Sequence, residues 1–147
     1  MPEIVRATPE DAEGLRACVL AAYARYLGIV DDLPPVADGL AEDIAERLVW
    51  VVRHEGNIMA GIVAGQHEGV VHIANLAVRP EAAGQGLARA LVATVEAHAA
   101  QLGADSIDLT THRLMPDNVA IYERLGWQVT GSEGNRIFMS KPVKQAL

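Results

Sequence analysis

The run Val78-Arg79-Pro80-Glu81-Ala82-Ala83-Gly84-Gln85-Gly86-Leu87-Ala88-Arg89 carries the most chemistry in this sequence. Gly84 and Gly86 lack Cβ atoms, so the backbone can turn sharply there and come close to a ligand. A helical apolar repeat begins at Leu87. The first N–H groups of a helix have no intrahelical acceptors and sit at the positive end of the helix dipole. Such a turn takes up anions, pyrophosphate above all, and Arg79 and Arg89 add positive charge beside it. The pattern is not the dinucleotide fingerprint, because Arg89 stands where a third glycine belongs. No Gly-Lys-Ser/Thr follows to make a P-loop.

A second group lies further on. Asn118, Ile121, Tyr122 and Leu125 fall at i, i+3, i+4 and i+7 on one helical face. Ile121 and Leu125 call for burial, so Asn118 and Tyr122 are carried inward with them. Tyr122 then reads either as a buried proton donor or as a packing tyrosine with a bonded hydroxyl. Asn118 reads as a ligand contact or as a first-turn cap. His72, His112, Glu68 and a water held by Asn75 could each accept a proton; no spacing selects among them, and both histidines read equally as structural. The lone Cys18 reads as a small core residue. It cannot form an intrachain disulfide, and no cysteine cluster suggests a metal.

The elements that position these groups follow from periodicity. Residues 4–7 read as a strand, and Thr8, Pro9 and Asp11 as a helix start. Leu15, Cys18, Val19, Ala22 and Tyr26 give that helix its buried face, and Gly28 ends it. Asp31-Asp32-Leu33-Pro34-Pro35 is a loop, since paired prolines fit neither helix interior nor central strand. A helix over about 36–47 precedes strands at 48–52, 58–66 and 70–78, joined by tight turns into an antiparallel meander. Leu87, Leu91, Val95, Ala99 and Leu102 mark a helix stopped at Gly103. A strand at 106–111, a helix at 116–125 and strands at 127–132 and 136–140 complete an α/β chain with helices on both faces of a mixed sheet.

Composition sets limits. At 147 residues the chain is of one-domain length, and with only 4% aromatics its core is built from Ala, Val, Leu and Ile. The net charge of −7 argues against nonspecific nucleic-acid binding. No apolar run approaches the roughly 20 residues that cross a bilayer, and the first residues do not read as a signal peptide. These features point to a cytoplasmic protein, away from membranes, acting as a monomer or a homodimer.

The strand–turn–helix, with Asn118-Val119-Ala120-Ile121-Tyr122-Glu123-Arg124-Leu125-Gly126-Trp127 after it, resembles the GNAT superfamily of N-acetyltransferases from Ile4 to Lys141. The family signature Gln/Arg-x-x-Gly-x-Gly/Ala falls on Ala83-Gly84-Gln85-Gly86-Leu87-Ala88, with Ala83 in place of Gln or Arg. The resemblance implies a mixed, mostly antiparallel sheet of about seven strands, splayed between the fourth and fifth, with the fourth bulged. It implies acetyl-CoA as co-substrate, held by Leu76, Ala77, Val78, the run Ala83, Gly84, Gln85, Gly86, Leu87, Ala88 and Arg89, and by Asn118 and Tyr122. Main chain around Leu76 and Ala77 would hold the oxyanion, and Tyr122 would protonate the departing sulfur. From free values of about 10 for a phenol and about 8.5 for a thiol, that transfer is uphill by roughly 2 kcal/mol. Tyr26, Leu33, Pro34 and Asn75 would line the acceptor site, with Tyr23 and Pro35 beside them. Asp31, Asp32, Asp38, Glu42 and Asp43 would attract a cationic amine or serve as a solvated face. The acceptor stays open between a small amine and a protein amino group. A non-catalytic acyl-CoA-binding regulatory module, a nucleotide binder of another class and a plain interaction domain with no ligand are the competing readings.

Overall fold

The structure, a computed structural model, describes residues 3–26 and 37–143. Among them, seven strands form one sheet in the order β1-β2-β3-β4-β5-β7-β6. The strands are β1 (Glu3–Arg6), β2 (Leu48–His54), β3 (Asn57–His67), β4 (Val70–Val78), β5 (Ser106–His112), β6 (Gln128–Glu133) and β7 (Arg136–Pro142). All neighbours are antiparallel except β4 and β5. The helices are α1 (Ala12–Tyr23), α2 (Leu40–Glu46), α3 (Leu87–Gln101) and α4 (Pro116–Arg124). The parallel pair is where the expected meander gives way to a crossover through α3.

The sheet separates two cores. Leu15, Cys18 and Val19 of α1 and Leu40 of α2 pack against Val49, Val51, Val63 and Ala77 on one face. Leu91, Val92 and Val95 of α3 and Tyr122 of α4 pack against Ile62, Val71, Ile73, Ile107 and Met139 on the other. Gly61 lets α1 sit close, since a Cβ there would stand 2.4 Å from Leu15 Cδ1.

Three local expectations change. The helix start expected at Thr8, Pro9 and Asp11 is present but opens as a 3-10 turn over Pro9–Asp11 with Thr8 at its N-cap, its N–H and hydroxyl both donating to the Asp11 carboxylate, and α1 follows from Ala12. The helix expected from residue 36 begins at Leu40, because Gly39 takes a left-handed φ of +74°. Leu102 is 40% exposed rather than buried, because α3 ends one residue before it and Gly103 turns the chain away with φ +74°. The expected end of α1 at Gly28, and Leu33, Pro34 and Pro35, lie outside the described residues.

Candidate active site

β4 runs into a 3-10 turn over Pro80–Ala82, anchored by buried Ala82. Gly84 (φ +82°) and Gly86 (φ +77°) then take left-handed backbone conformations that side-chained residues avoid. Among the described residues, chain neighbours aside, no atom lies within 4 Å of where their Cβ atoms would stand, so backbone conformation, not crowding, calls for glycine. The first rung of α3 is Ala90 N–H to the Gly86 carbonyl, 3.0 Å. The N–H groups of Leu87, Ala88 and Arg89 therefore precede the ladder and have no intrahelical acceptor. No acidic residue occupies the first turn, and Arg89 is exposed beside it. Arg79 contributes less than the sequence implies, because its Nε donates to the Ile58 carbonyl at 2.8 Å, on the α1 side.

The strand feeding this turn is bulged and splayed. Val63 pairs with Asn75 but Ala64 with Ile73, which leaves Ala74 as an extra residue on β4. The insertion reverses which face each side chain takes. Val71 and Ile73 belong to the α3-side core, whereas after the bulge Ala77 belongs to the α1-side core and Leu76 and Val78 pack toward α3. Pairing with β5 covers only Val70↔Ser106 through Ile73↔Leu109, although β4 continues to Val78 and β5 to His112. The strands part beyond that point, opening a slot whose β4 edge is main chain of residues 74–78.

Helix α4 borders the same slot. Pro116 is its first residue, and Asn118 sits half-buried in the first turn, its Nδ2 4.0 Å from Met115 Sδ and not capping the helix. Tyr122 is the buried residue of this helix, with its ring edge-on to Trp127 at 5.4 Å; Ile121 and Leu125 are only half-buried. Burial raises the Tyr122 phenol well above the ordinary tyrosine value, and the nearby Tyr23 phenol adds to the effect. Burial likewise pushes Tyr23 up to about 12, with Tyr26, whose ring is 6.3 Å away, adding to it. Tyr23 and Tyr122 come from helices on opposite faces of the sheet, yet their phenols interact electrostatically. Thr111 Oγ1, at the splayed end of β5, is buried with no hydrogen-bond partner among the described residues.

A sequence profile described as "Acetyltransferase (GNAT) family" matches residues 19–127, which span the slot, the glycine turn, α3 and α4. The chain belongs to that family. A curated relative, the uncharacterized N-acetyltransferase YjgM of Escherichia coli (strain K12), is 23% identical over 137 residues, covering 86% of this chain and 82% of that protein. The GNAT fold recurs in the PaiA N-acetyltransferase of Thermoplasma acidophilum, solved in complex with coenzyme A. That structure has a TM-score of 0.88 at 18% identity, covering 97% of this chain and 99% of that one. The ribosomal-protein-S18-alanine N-acetyltransferase of Escherichia coli matches with a TM-score of 0.80 at 20% identity, over 99% and 96% of the two chains.

Within this GNAT framework the sequence candidates divide. Leu76, Ala77, Val78, Ala83, Gly84, Gln85, Gly86, Leu87, Ala88 and Arg89 form one continuous path from slot to helix mouth. The Leu87 side chain is core, 8% exposed, so only its main chain is available to a ligand. Asn118 and Tyr122 stand across the slot, and buried Asn75 lies on the α1 side of β4 with Tyr26 beyond α1. His112 is buried, and its Nδ1 accepts from Leu114 N–H at 3.1 Å. Glu68 sits in the β3–β4 turn, at the end of β4 away from the slot. Thr111 escaped sequence reasoning, because nothing in Thr110-Thr111 tells which hydroxyl loses its partner when the strands part.

Proposed function

We propose that this chain transfers the acetyl group of acetyl-CoA to an amine, directly, within a ternary complex. The observation that carries the reading is a helix mouth with free N–H groups opening onto a strand splay that ends at a buried tyrosine. The residues present fit acetyl-CoA: the turn leaves room at Gly84 and Gly86, and orphaned Thr111 Oγ1 stands where an amide could satisfy it.

When bound, the co-substrate supplies an activated acyl group and a thiol leaving group. Main-chain N–H groups from Gly84 to Arg89 would hold the pyrophosphate, helped by the Arg89 guanidinium. Because that grip is main chain, Ala83 at the first signature position leaves it in place. The β4 edge at Leu76, Ala77 and Val78 would pair with the pantetheine arm, with Asn118 and Thr111 opposite. An N–H near Leu76 or Ala77 would donate to the thioester carbonyl as negative charge develops. Tyr122 would give its proton to the sulfur. The acceptor, a small amine or a protein amino group, would enter from the α1 face past Tyr26 and Asn75.

Calorimetry with acetyl-CoA, ATP and NAD, followed by thiol release with a panel of amines, tests this reading. Preferred binding of acetyl-CoA with amine-dependent thiol release is expected. Binding without release from any amine makes the chain a non-catalytic acyl-CoA-binding module instead, and preference for ATP or NAD removes both readings.

A further inference from the structure

Direct transfer requires the acceptor ammonium to lose a proton before its nitrogen can attack, and the slot residues named so far provide no group for it. On the α1 face of the sheet, one rung before β4 and β5 part, His72 stands opposite Asp108. Its Nδ1 is hydrogen-bonded to Asp108 Oδ1. Both side chains are about half exposed, 46% and 47%. They line a hollow of about 360 Å³ with Thr110, Thr130, Phe138 and Ser140. Among the described residues, the helices on this face pack on the other half of the sheet, α1 against β3 and β4 and α2 against β2.

A carboxylate bonded to Nδ1 fixes the neutral imidazole with its proton on Nδ1, leaving the Nε2 lone pair as the base. His72 and Asn75 face the same side of β4, one before and one after the bulge at Ala74, so His72 sits at the paired end of the slot. The charged groups facing His72 are Asp108 from β5 and Arg47 from the end of α2. Arg47 Nη1 would stand 2.9 Å from a Cβ at Gly65, the register partner of His72, and Arg47 is itself paired with Asp43 at 3.3 Å.

We propose that His72 is the general base for the acceptor amine, that Asp108 is its positioning residue, and that the hollow they line takes a compact primary ammonium. This rests on the transferase reading above. His72 Nε2 takes one proton from the ammonium, directly or through one water. The freed nitrogen lone pair forms the N–C bond as the C–S bond breaks. Tyr122 supplies the proton that the sulfur gains, and the second amine proton leaves to solvent. The net products are amide, thiol and one proton, which matches the ammonium and thioester consumed once Tyr122 and His72 are reset by solvent.

The free protein gives the first test. Imidazole ¹⁵N resonances of His72 are expected to show the Nδ1–H tautomer, turning to a mixture in D108N; a dominant Nε2–H tautomer in the wild type overturns the assignment. The second test uses acetyl-CoA with alanine amide, ethylenediamine, lysine and spermidine as acceptors. With the amine that releases thiol fastest, H72Q should lose roughly a hundredfold or more in kcat/KM. It should also lose the acid limb of the pH profile, while binding acetyl-CoA as the wild type does. D108N should lose less, in step with the mixed tautomer its ¹⁵N resonances show. An H72Q variant with wild-type rate and wild-type acid limb overturns the base while leaving the transferase standing. A wild type that binds acetyl-CoA yet acetylates none of the four amines overturns the assignment of this hollow to a compact ammonium, while transfer to a protein amino group still stands.

Discussion

At the scale of single residues, burial makes Tyr122 a weaker acid than a free phenol, which at first sight counts against it as a proton donor. What matters, however, is the difference between the phenol and the thiol it serves. The dry slot that destabilises a phenolate destabilises a thiolate too, so the two shift together and the gap stays near the roughly 2 kcal/mol of the free groups. Tyr122→Phe, which keeps the ring against Trp127 and loses only the hydroxyl, should lower kcat by about a hundredfold or more with little change in Tm. Because the phenol ionises only above the ordinary tyrosine value, the wild type should show no alkaline loss of kcat from this group below about pH 10. A descending limb near pH 8–9 that vanishes in Tyr122→Phe would contradict the assignment. Cys18, whose thiol is pushed up to about 11 by burial, should stay silent to thiol reagents in the folded protein, so that released thiol can be read without background.

Among the elements, the mouth of α3 and the start of α2 provide a matched pair. Each opens on a left-handed glycine, Gly86 at φ +77° and Gly39 at φ +74°, with nothing within 4 Å of where an added methyl would stand. An alanine at either position should cost about 1–2 kcal/mol of stability from backbone strain alone. Only Gly86→Ala should also weaken acetyl-CoA, by about tenfold, equivalent to about 1.4 kcal/mol, because in the proposed site only there would the displaced N–H groups meet a ligand. Equal effects of the two substitutions on binding would remove the helix mouth from the site. The glycine turn and the helix behind it were legible in the sequence because a turn's chemistry is local. The exact place of the bulge at Ala74, the inward set of Arg79 and the meeting of His72 with Asp108, 36 residues apart, were not. Each depends on how two strands come into register, and a one-residue slip sends every side chain to the opposite face.

For the whole molecule, the site exists only while both halves of the sheet hold their places, since β4 and β5 share only four paired residues. On one side Lys141 of β7 braces the halves, its Nζ donating to Glu96 of α3 at 3.0 Å and to the Leu125 carbonyl just beyond α4 at 2.9 Å. On the other side α1 is pinned by Asp11, whose carboxylate receives Arg53 Nε and Nη2 from β2 at 3.1 and 2.6 Å as well as the Thr8 N–H. The hydrogen bond from Arg53 holds the Asp11 carboxyl below its usual range, against the opposing effect of burial. A carboxylate lowered in this way stabilises the fold fully above its ordinary value of 3.8 and loses that contribution as pH falls through its lower folded value. Asp11→Asn keeps the shape and removes the charge. It should melt below the wild type at pH 7, keep that deficit down to about pH 5, and converge on the wild type only under more acid conditions, below the free carboxylate range. Because α1 carries Tyr23 to the slot, the same variant should raise the KM for the acceptor more than it changes acetyl-CoA binding. A melting deficit as large at pH 2 as at pH 7 would mean that Asp11 holds α1 by shape rather than by charge.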